Sequence, residues 1–280
     1  MAKLIEYIIK TSGMSKMKDM SEDELTEYIK KDNELKIPNK IRKRYEVQEI
    51  DIDNDKLAKI SPKENASDAA VLFIHGGAYI MEMDTYHWHA VMGIIDKTNA
   101  TVYVPIYKLA PNYSYIETDI FMYKAYEYLL NEYEEMDINI IGDSAGGQIA
   151  LRLLDKGKYS PNKTILVSPL VYLNPDIELA NQMKLLEKND VILSTDFLNI
   201  VIDWWTNGKK LKYDDISAIN GVYIFVGTNE ILYSHAVRLN NEIKSSELIV
   251  GDGLMHTWPY MPGDRSCING FSLVCKLLEG

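Results

Sequence analysis

Short apolar runs alternate with longer segments of helical spacing over most of this chain. The runs are rich in β-branched residues, as is typical of buried strands, and lie at 70–74, 101–105, 138–141, 163–168, 222–226 and 248–250. Between them, apolar residues recur at helical spacing near 85–99, 114–135 and 145–157. Strands that alternate with helices in this way predict an α/β fold with a mostly parallel sheet and right-handed crossovers.

The pattern changes ahead of the first of these runs. Residues 45–52 and 56–60 alternate between apolar and polar side chains, which predicts a β-hairpin. We place its turn at Asn54-Asp55 and expect the hairpin at an antiparallel edge of the sheet.

A serine follows the apolar run at 138–141, within Gly142-Asp143-Ser144-Ala145-Gly146. This is the G-x-S-x-G pattern of a sharp strand-to-helix turn that presents a nucleophilic serine. Glycines at 142 and 146 fit such a turn because the helix passes so close to the sheet that Cβ atoms have no room. The alternative interpretation is a glycine-flanked serine that only caps the helix.

A second motif follows the run at 70–74, which leads directly into His75-Gly76-Gly77-Ala78-Tyr79. Small residues let the backbone approach a reacting carbonyl, whose developing negative charge backbone N–H groups can stabilise. We predict that Gly77, Ala78 and Ala145 donate these N–H groups and that His75 braces the loop. An ordinary turn at the end of a strand is the alternative.

Together these motifs resemble the hormone-sensitive-lipase-like family of alpha/beta hydrolases. The loop at 75–80 is similar to the family's H-G-G-G-x-x motif, the segment at 107–112 to Y-R-L-A-P-E, and the turn at 142–147 is its G-D-S-A-G-G. Ala78 replaces the third glycine and Asn112 the usual glutamate. The resemblance covers residues 65–280. It implies a mostly parallel central sheet with helices on both faces, a small helical cap and serine carboxylesterase activity without a cofactor.

Two further side chains complete a candidate triad. Glu230 follows the run at 222–226 within Gly227–Leu232, and His256 follows the run at 248–250 within Met255–Trp258; both segments are similar to family segments that carry the acid and the base. The order Ser144, Glu230, His256 is that of this fold. Asp252 and Asp264 are close enough in sequence to compete for the role of acid.

Two segments lie outside the alternating core. Residues 1–36 predict two polar amphipathic helices, the second opening with a capping box at Ser21–Glu24, and residues 173–213 mix helical and polar sequence. We expect residues 1–44 and 173–213 to form the cap of a single domain spanning 1–280.

Other residues near these features receive more modest predictions. Tyr79, Trp204 and Trp205 are expected to line the acyl or alcohol pocket, and Asp143 to be a structural hydrogen-bond partner. His87 and His89 stand two residues apart on a predicted helix and point to different faces. We therefore expect packing or solvent roles for these histidines, and no metal site.

The composition of the chain limits the classes of binding partner that we expect. The formal net charge of −11 disfavours nucleic acid and anionic membranes but is compatible with a small neutral ester. Cys267 and Cys275 fall on one predicted helix, too far apart for a disulfide, which together with the lack of a signal peptide or membrane span favours a cytoplasmic location. A homo-oligomer stays open, as do two other activities: amide hydrolysis with the same triad, and ligand binding without catalysis.

Overall fold

A computed structural model of the 280-residue chain describes residues 13–30, 35–262 and 264–279. Its strands are β1 Glu46–Ile52, β2 Asp55–Ser61, β3 Ala70–Ile74, β4 Thr101–Ile106, β5 Ile138–Asp143, β6 Lys163–Val167, β7 Val222–Gly227 and β8 Glu247–Gly251. Its helices are α1 Gly13–Met17, α2 Glu22–Ile29, α3 Asn39–Arg44, α4 Thr85–Thr98, α5 Tyr115–Glu132, α6 Ala145–Leu154, α7 Ile177–Leu186, α8 Thr195–Thr206, α9 Tyr233–Glu242 and α10 Arg265–Leu278.

In the described chain the strands form one 8-stranded sheet in the order β1-β2-β4-β3-β5-β6-β7-β8. The pairs β1–β2 and β2–β4 are antiparallel, whereas every pair from β4 to β8 is parallel. The predicted fold class is therefore confirmed. Because parallel strands end together, the loops after β3, β5, β6, β7 and β8 meet at one edge of the sheet.

The central strands are buried along their whole length. Every residue of β3 and of β5 is buried, as expected of parallel strands that helices cover on both faces. Strand β1, at one end of the sheet, has no fully buried residue: Val47, Ile50 and Ile52 are partly buried, and its other residues are exposed. Continuous apolar runs thus mark the central strands, but the run at 248–250, also expected to be a buried strand, forms β8 at the other end of the sheet, where only Gly251 is buried.

Several predicted boundaries move by a few residues. The hairpin turn falls at Asp53-Asn54 rather than at Asn54-Asp55, because Asp53 takes the left-handed φ of 55° and Asp55 already pairs with Ile52. The helix predicted to run to residue 157 ends at Leu154, since Lys156 also adopts a positive φ. The helix predicted to run to residue 135 ends at Glu132.

The amino-terminal helices contact the segment between β6 and β7. Ser21 and Glu24 form the predicted capping box of α2, whereas the part of the first predicted helix that precedes residue 13 lies outside the described residues. Glu22 of α2 accepts a hydrogen bond from the Trp204 indole at 2.9 Å. The Lys18 ammonium donates to the main-chain carbonyl of Asp190 at 2.9 Å. These contacts join the two segments that the sequence sets apart from the core.

The carboxyl-terminal helix carries both cysteines. Cys267 and Cys275 lie on α10 as buried free thiols, and Asp264 caps this helix by accepting from the Ser266 N–H at 2.8 Å. In the described ranges, no helix combines the length and apolarity needed to cross a bilayer.

Candidate active site

Ser144 occupies a strained turn between β5 and α6. Its backbone has φ 51° and ψ −119°, a conformation that side-chain-bearing residues rarely adopt. Its N–H donates to the Val167 carbonyl and its own carbonyl accepts from the Leu170 N–H, each at 2.9 Å. Backbone contacts with the end of β6 therefore hold the turn in place.

The predicted need for glycine beside Ser144 is confirmed by close backbone approaches. A Cβ on Gly146 would lie 2.1 Å from the Ile74 carbonyl oxygen, and one on Gly142 would lie 2.6 Å from the Gly146 oxygen. A Cβ on Gly76 would lie 2.9 Å from the Ser144 Cβ atom. The loop after β3 thus packs directly against the serine turn.

Two N–H groups of that loop, and one at the start of α6, lack an acceptor among the residues that the structure describes. Gly77, Ala78 and Tyr79 take φ values of 112°, 53° and 65° in succession. Within the described residues, no acceptor pairs with the N–H groups of Gly77, Ala78 or Ala145, although all three residues are buried. Because an unpaired buried N–H group is costly, these three groups are available to an anionic oxygen.

His75 braces the loop, as predicted. Its Nδ1 lies 2.6 Å from the Gly76 carbonyl oxygen, and Tyr107 stacks on its ring and donates to its carbonyl at 2.7 Å. Burial, with a contribution from the nearby His87, lowers the pKa of His75 to about 4. The imidazole is therefore neutral at pH 7.

Glu230 and His256 form a buried pair after β7 and β8. The Glu230 Oε2 atom lies 2.7 Å from His256 Nδ1. Its Oε1 atom accepts from the Ser168 hydroxyl and from the Gly227 N–H, each at 2.7 Å. Both carboxylate oxygens are thus satisfied, and the carboxylate is aimed at the imidazole.

Neither competing aspartate reaches His256. Asp252 is exposed and accepts a hydrogen bond from Thr228, while Asp264 caps α10. The difference follows from position: Glu230 is fully buried under the sheet edge, whereas Asp252 lies in the outer part of its turn.

Ser168 was not predicted, yet it connects the parts of this site. Its hydroxyl donates to Glu230 and accepts from the Thr257 N–H at 2.9 Å. It directly follows Val167, whose carbonyl holds Ser144. The position of a small hydroxyl residue at the end of β6, on the edge where the other loops meet, is the one sequence signal that could have identified it.

The pKa of His256 reflects two opposing influences. Burial by itself lowers this pKa, but the charge of Glu230 and the hydrogen bond to it outweigh burial, so the pKa lies above its ordinary value. Asp190 and Asp143 act in the same direction as Glu230.

The predicted pocket aromatics separate into two groups. Tyr79 and Trp205 are fully buried and stack with ring centroids 4.4 Å apart, and the Tyr79 hydroxyl lies 3.4 Å from Gln148 Oε1. Trp204 instead directs its indole N–H to Glu22. The side chains of Trp204 and Trp205 therefore point in different directions, as those of adjacent residues on a helix must.

Asp143 and His87 form a second buried pair. His87 Nε2 lies 3.1 Å from Asp143 Oδ2, and His87 Nδ1 accepts from the Asp84 N–H at 3.0 Å. Asp143 is therefore a hydrogen-bond partner, as predicted, whereas His87 goes beyond the packing or solvent role expected of it, because it hydrogen-bonds to Asp143 and caps the start of α4. His89, on the same helix, is exposed.

Residues 71–259 match a family described as the alpha/beta hydrolase fold, and the chain belongs to this family. It is 30% identical over 128 residues to a triacylglycerol lipase of Mycobacterium tuberculosis (strain ATCC 25618 / H37Rv), covering 44% of this chain and 29% of the lipase. It is 31% identical over 120 residues to the carboxylesterase/phospholipase LipF of the same strain, and this match covers 40% of this chain and 32% of LipF. The matches thus span about a third of the length of these relatives.

A solved structure, the HSL-homolog EstE7 from a metagenome library, shares this fold with a TM-score of 0.76 and 20% identity over 99% of this chain and 96% of the other. The alpha/beta-hydrolase fold that the motifs led us to expect is therefore confirmed.

The carboxylate at Glu230 should control the protonation of His256. We expect histidine NMR titration to give a His256 midpoint above the ordinary 6.5, and a lower midpoint in Glu230→Gln, because the neutral amide no longer stabilises the imidazolium. A His256→Asn variant assigns the signal, and Asp252→Asn serves as the matched control that leaves the midpoint in place. A midpoint that does not change in Glu230→Gln would contradict this electrostatic account.

Proposed function

We propose that this protein is a serine carboxylesterase. Ser144 attacks the ester carbonyl, His256 accepts the serine proton, and Glu230 orients His256. The N–H groups of Gly77, Ala78 and Ala145 bind the oxyanion. One observation supports this proposal most strongly: the Glu230–His256 hydrogen bond lies at the same sheet edge as a strained serine and three unpartnered N–H groups.

The reaction runs in two halves. His256 Nδ1–H is bound to Glu230, so its Nε2 atom is the base that takes the proton as Ser144 Oγ bonds to the carbonyl carbon. The tetrahedral intermediate collapses, the C–O bond to the alcohol breaks, and His256 returns the proton to the leaving alcohol. Water then attacks the acyl-serine with the same base, which releases the carboxylic acid and restores the serine.

The serine and the imidazole complete their alignment when substrate binds. Ser144 and His256 are 8% and 5% exposed, and in the described contacts no hydrogen bond joins Ser144 Oγ to His256. Such hydrogen bonds often tighten only in the Michaelis complex, and we propose that substrate binding completes the contact between Ser144 Oγ and His256 Nε2.

An ester of a small neutral molecule is the substrate that we propose. The matched relatives are named as a triacylglycerol lipase and as a carboxylesterase/phospholipase, both of which refer to ester substrates. We further propose that 1–44 and 173–213 form a cap on a single domain. The contacts of Lys18 with Asp190 and of Glu22 with Trp204 support this cap, as does the Trp205 ring stacked on Tyr79.

Removing the nucleophile tests the proposal directly. Ser144→Ala should abolish hydrolysis of p-nitrophenyl butyrate and leave the circular dichroism spectrum unchanged, because the hydroxyl contributes little packing. Ser160→Ala, an exposed serine, is the matched control. Hydrolysis by Ser144→Ala at even about a tenth of the wild-type rate would require a different nucleophile.

Neutralising the proposed acid should affect turnover more than binding. In Glu230→Gln we expect kcat to fall by up to ~10⁴-fold with little change in KM, the scale seen when a triad carboxylate is neutralised. Asp252→Asn should retain wild-type kcat. The reverse result, with normal turnover in Glu230→Gln and a collapse in Asp252→Asn, would transfer the role to Asp252.

Acyl length should be restricted. The Tyr79–Trp205 stack fills space beside the loop after β3, so we expect short acyl esters to react faster than long-chain triglycerides. A series of p-nitrophenyl esters, together with an emulsified long-chain triglyceride, measures this preference. Faster release of long-chain acid than of butyrate would overturn it.

A further inference from the structure

A buried aspartate contributed by the segment between α7 and α8 contacts the loop that carries Glu230. Asp190 is 3% exposed, and its Oδ1 atom accepts from the N–H groups of Ile192 and Leu193, each at 2.8 Å. Its Oδ2 atom accepts from the Ile231 N–H at 2.9 Å. Three backbone donors thus satisfy a carboxylate that has been removed from water.

The third of these contacts fixes the main chain at a critical place. Ile231 directly follows Glu230, so the Asp190 carboxylate holds the backbone one residue from the side chain that meets His256. On the other side of Glu230, the Gly227 N–H binds its carboxylate. The loop is thereby held on both sides of the carboxylate that orients the imidazole.

The aspartate is itself held by the amino-terminal segment. Lys18 donates its ammonium to the Asp190 carbonyl at 2.9 Å, and the Ser194 hydroxyl donates to the Lys18 carbonyl at 2.6 Å. Contacts therefore run without a break from Lys18 through Asp190 to the loop of Glu230.

We propose that Asp190 is a positioning residue, which holds the backbone after Glu230 and so keeps the Glu230 carboxylate in line with His256. The role rests on the proposed function. A carboxylate fits it because a single acceptor group must serve donors from two separate segments of the chain.

Electrostatics supplies a second readout. Three carboxylates act on His256: those of Glu230, Asp190 and Asp143. Each raises the pKa of His256, whereas burial lowers it. Burial raises the pKa of Asp190, while the charge of His256 and the three backbone hydrogen bonds oppose that rise. A neutral side chain at 190 should therefore lower the pKa of His256.

Asp190→Asn tests the role with almost no change in volume. If the asparagine oxygen faces Ile192 and Leu193, its NH2 group faces the Ile231 N–H, so this contact is lost. We expect kcat for p-nitrophenyl butyrate to fall about ten- to hundredfold with KM largely unchanged, the scale of a small misplacement of a reacting group. The His256 midpoint, followed by NMR, should fall below that of the wild type.

The matched control is Asp176→Asn. Asp176 also accepts a backbone N–H, that of Leu179 at 3.0 Å, but it caps α7 at the surface and should leave kcat and the His256 midpoint unchanged. If Asp190→Asn does not fold, Asp190→Glu takes its place: it retains the charge, so the midpoint should stay near wild type, while kcat falls because the longer side chain cannot keep all three contacts. Wild-type kcat in a folded Glu variant would overturn the proposal.

Two results in Asp190→Asn would also overturn it. One is wild-type kcat with a wild-type His256 midpoint. The other is a loss of kcat with an unmoved midpoint and a lowered melting temperature, which would indicate a structural role alone. Failure of the proposed function would give a different result, because the hydrolytic activity of Ser144→Ala would then match that of the wild type. The NMR midpoints of His256 would still decide whether Asp190 acts on His256.

Discussion

The structure of the site depends on the burial of one carboxylate. Glu230 is wholly removed from water, and an ionised group in that position is tolerated only where hydrogen bonds and charge replace its hydration. Its partners come from the end of β6, the end of β7 and the loop after β8. Satisfying this one group therefore fixes three loops relative to one another at a single edge of the sheet.

The other half of the site depends on close backbone packing. Gly146 passes so near the end of β3 that even a methyl group would collide with the Ile74 carbonyl, and Gly76 lies against Ser144. This packing sets the loop after β3, which carries Gly77 and Ala78, against the strained serine. The strain at Ser144 persists because the backbone hydrogen bonds to Val167 and Leu170 hold the turn from the β6 side.

The local sequence pattern was enough to predict those features that depend on neighbouring residues alone. Apolar runs identified the strands, and the glycines around Ser144 identified its turn. Each of these signals lies within a few neighbouring residues of the sequence. Ser168 and Asp190 escaped prediction because their partners are distant: Ser168 binds a residue 62 positions away and Asp190 one 41 positions away. The hairpin turn was misplaced by one residue because either Asp53 or Asn54 suits a turn, and only the pairing of Asp55 with Ile52 decides between placements.

Mass spectrometry of the wild-type protein after reaction with a fluorophosphonate shows whether Ser144 is the nucleophile that His256 activates. We expect a single phosphonyl adduct per chain, located by peptide mapping on Ser144. The absence of an adduct, or an adduct on another serine such as Ser168, would contradict this assignment.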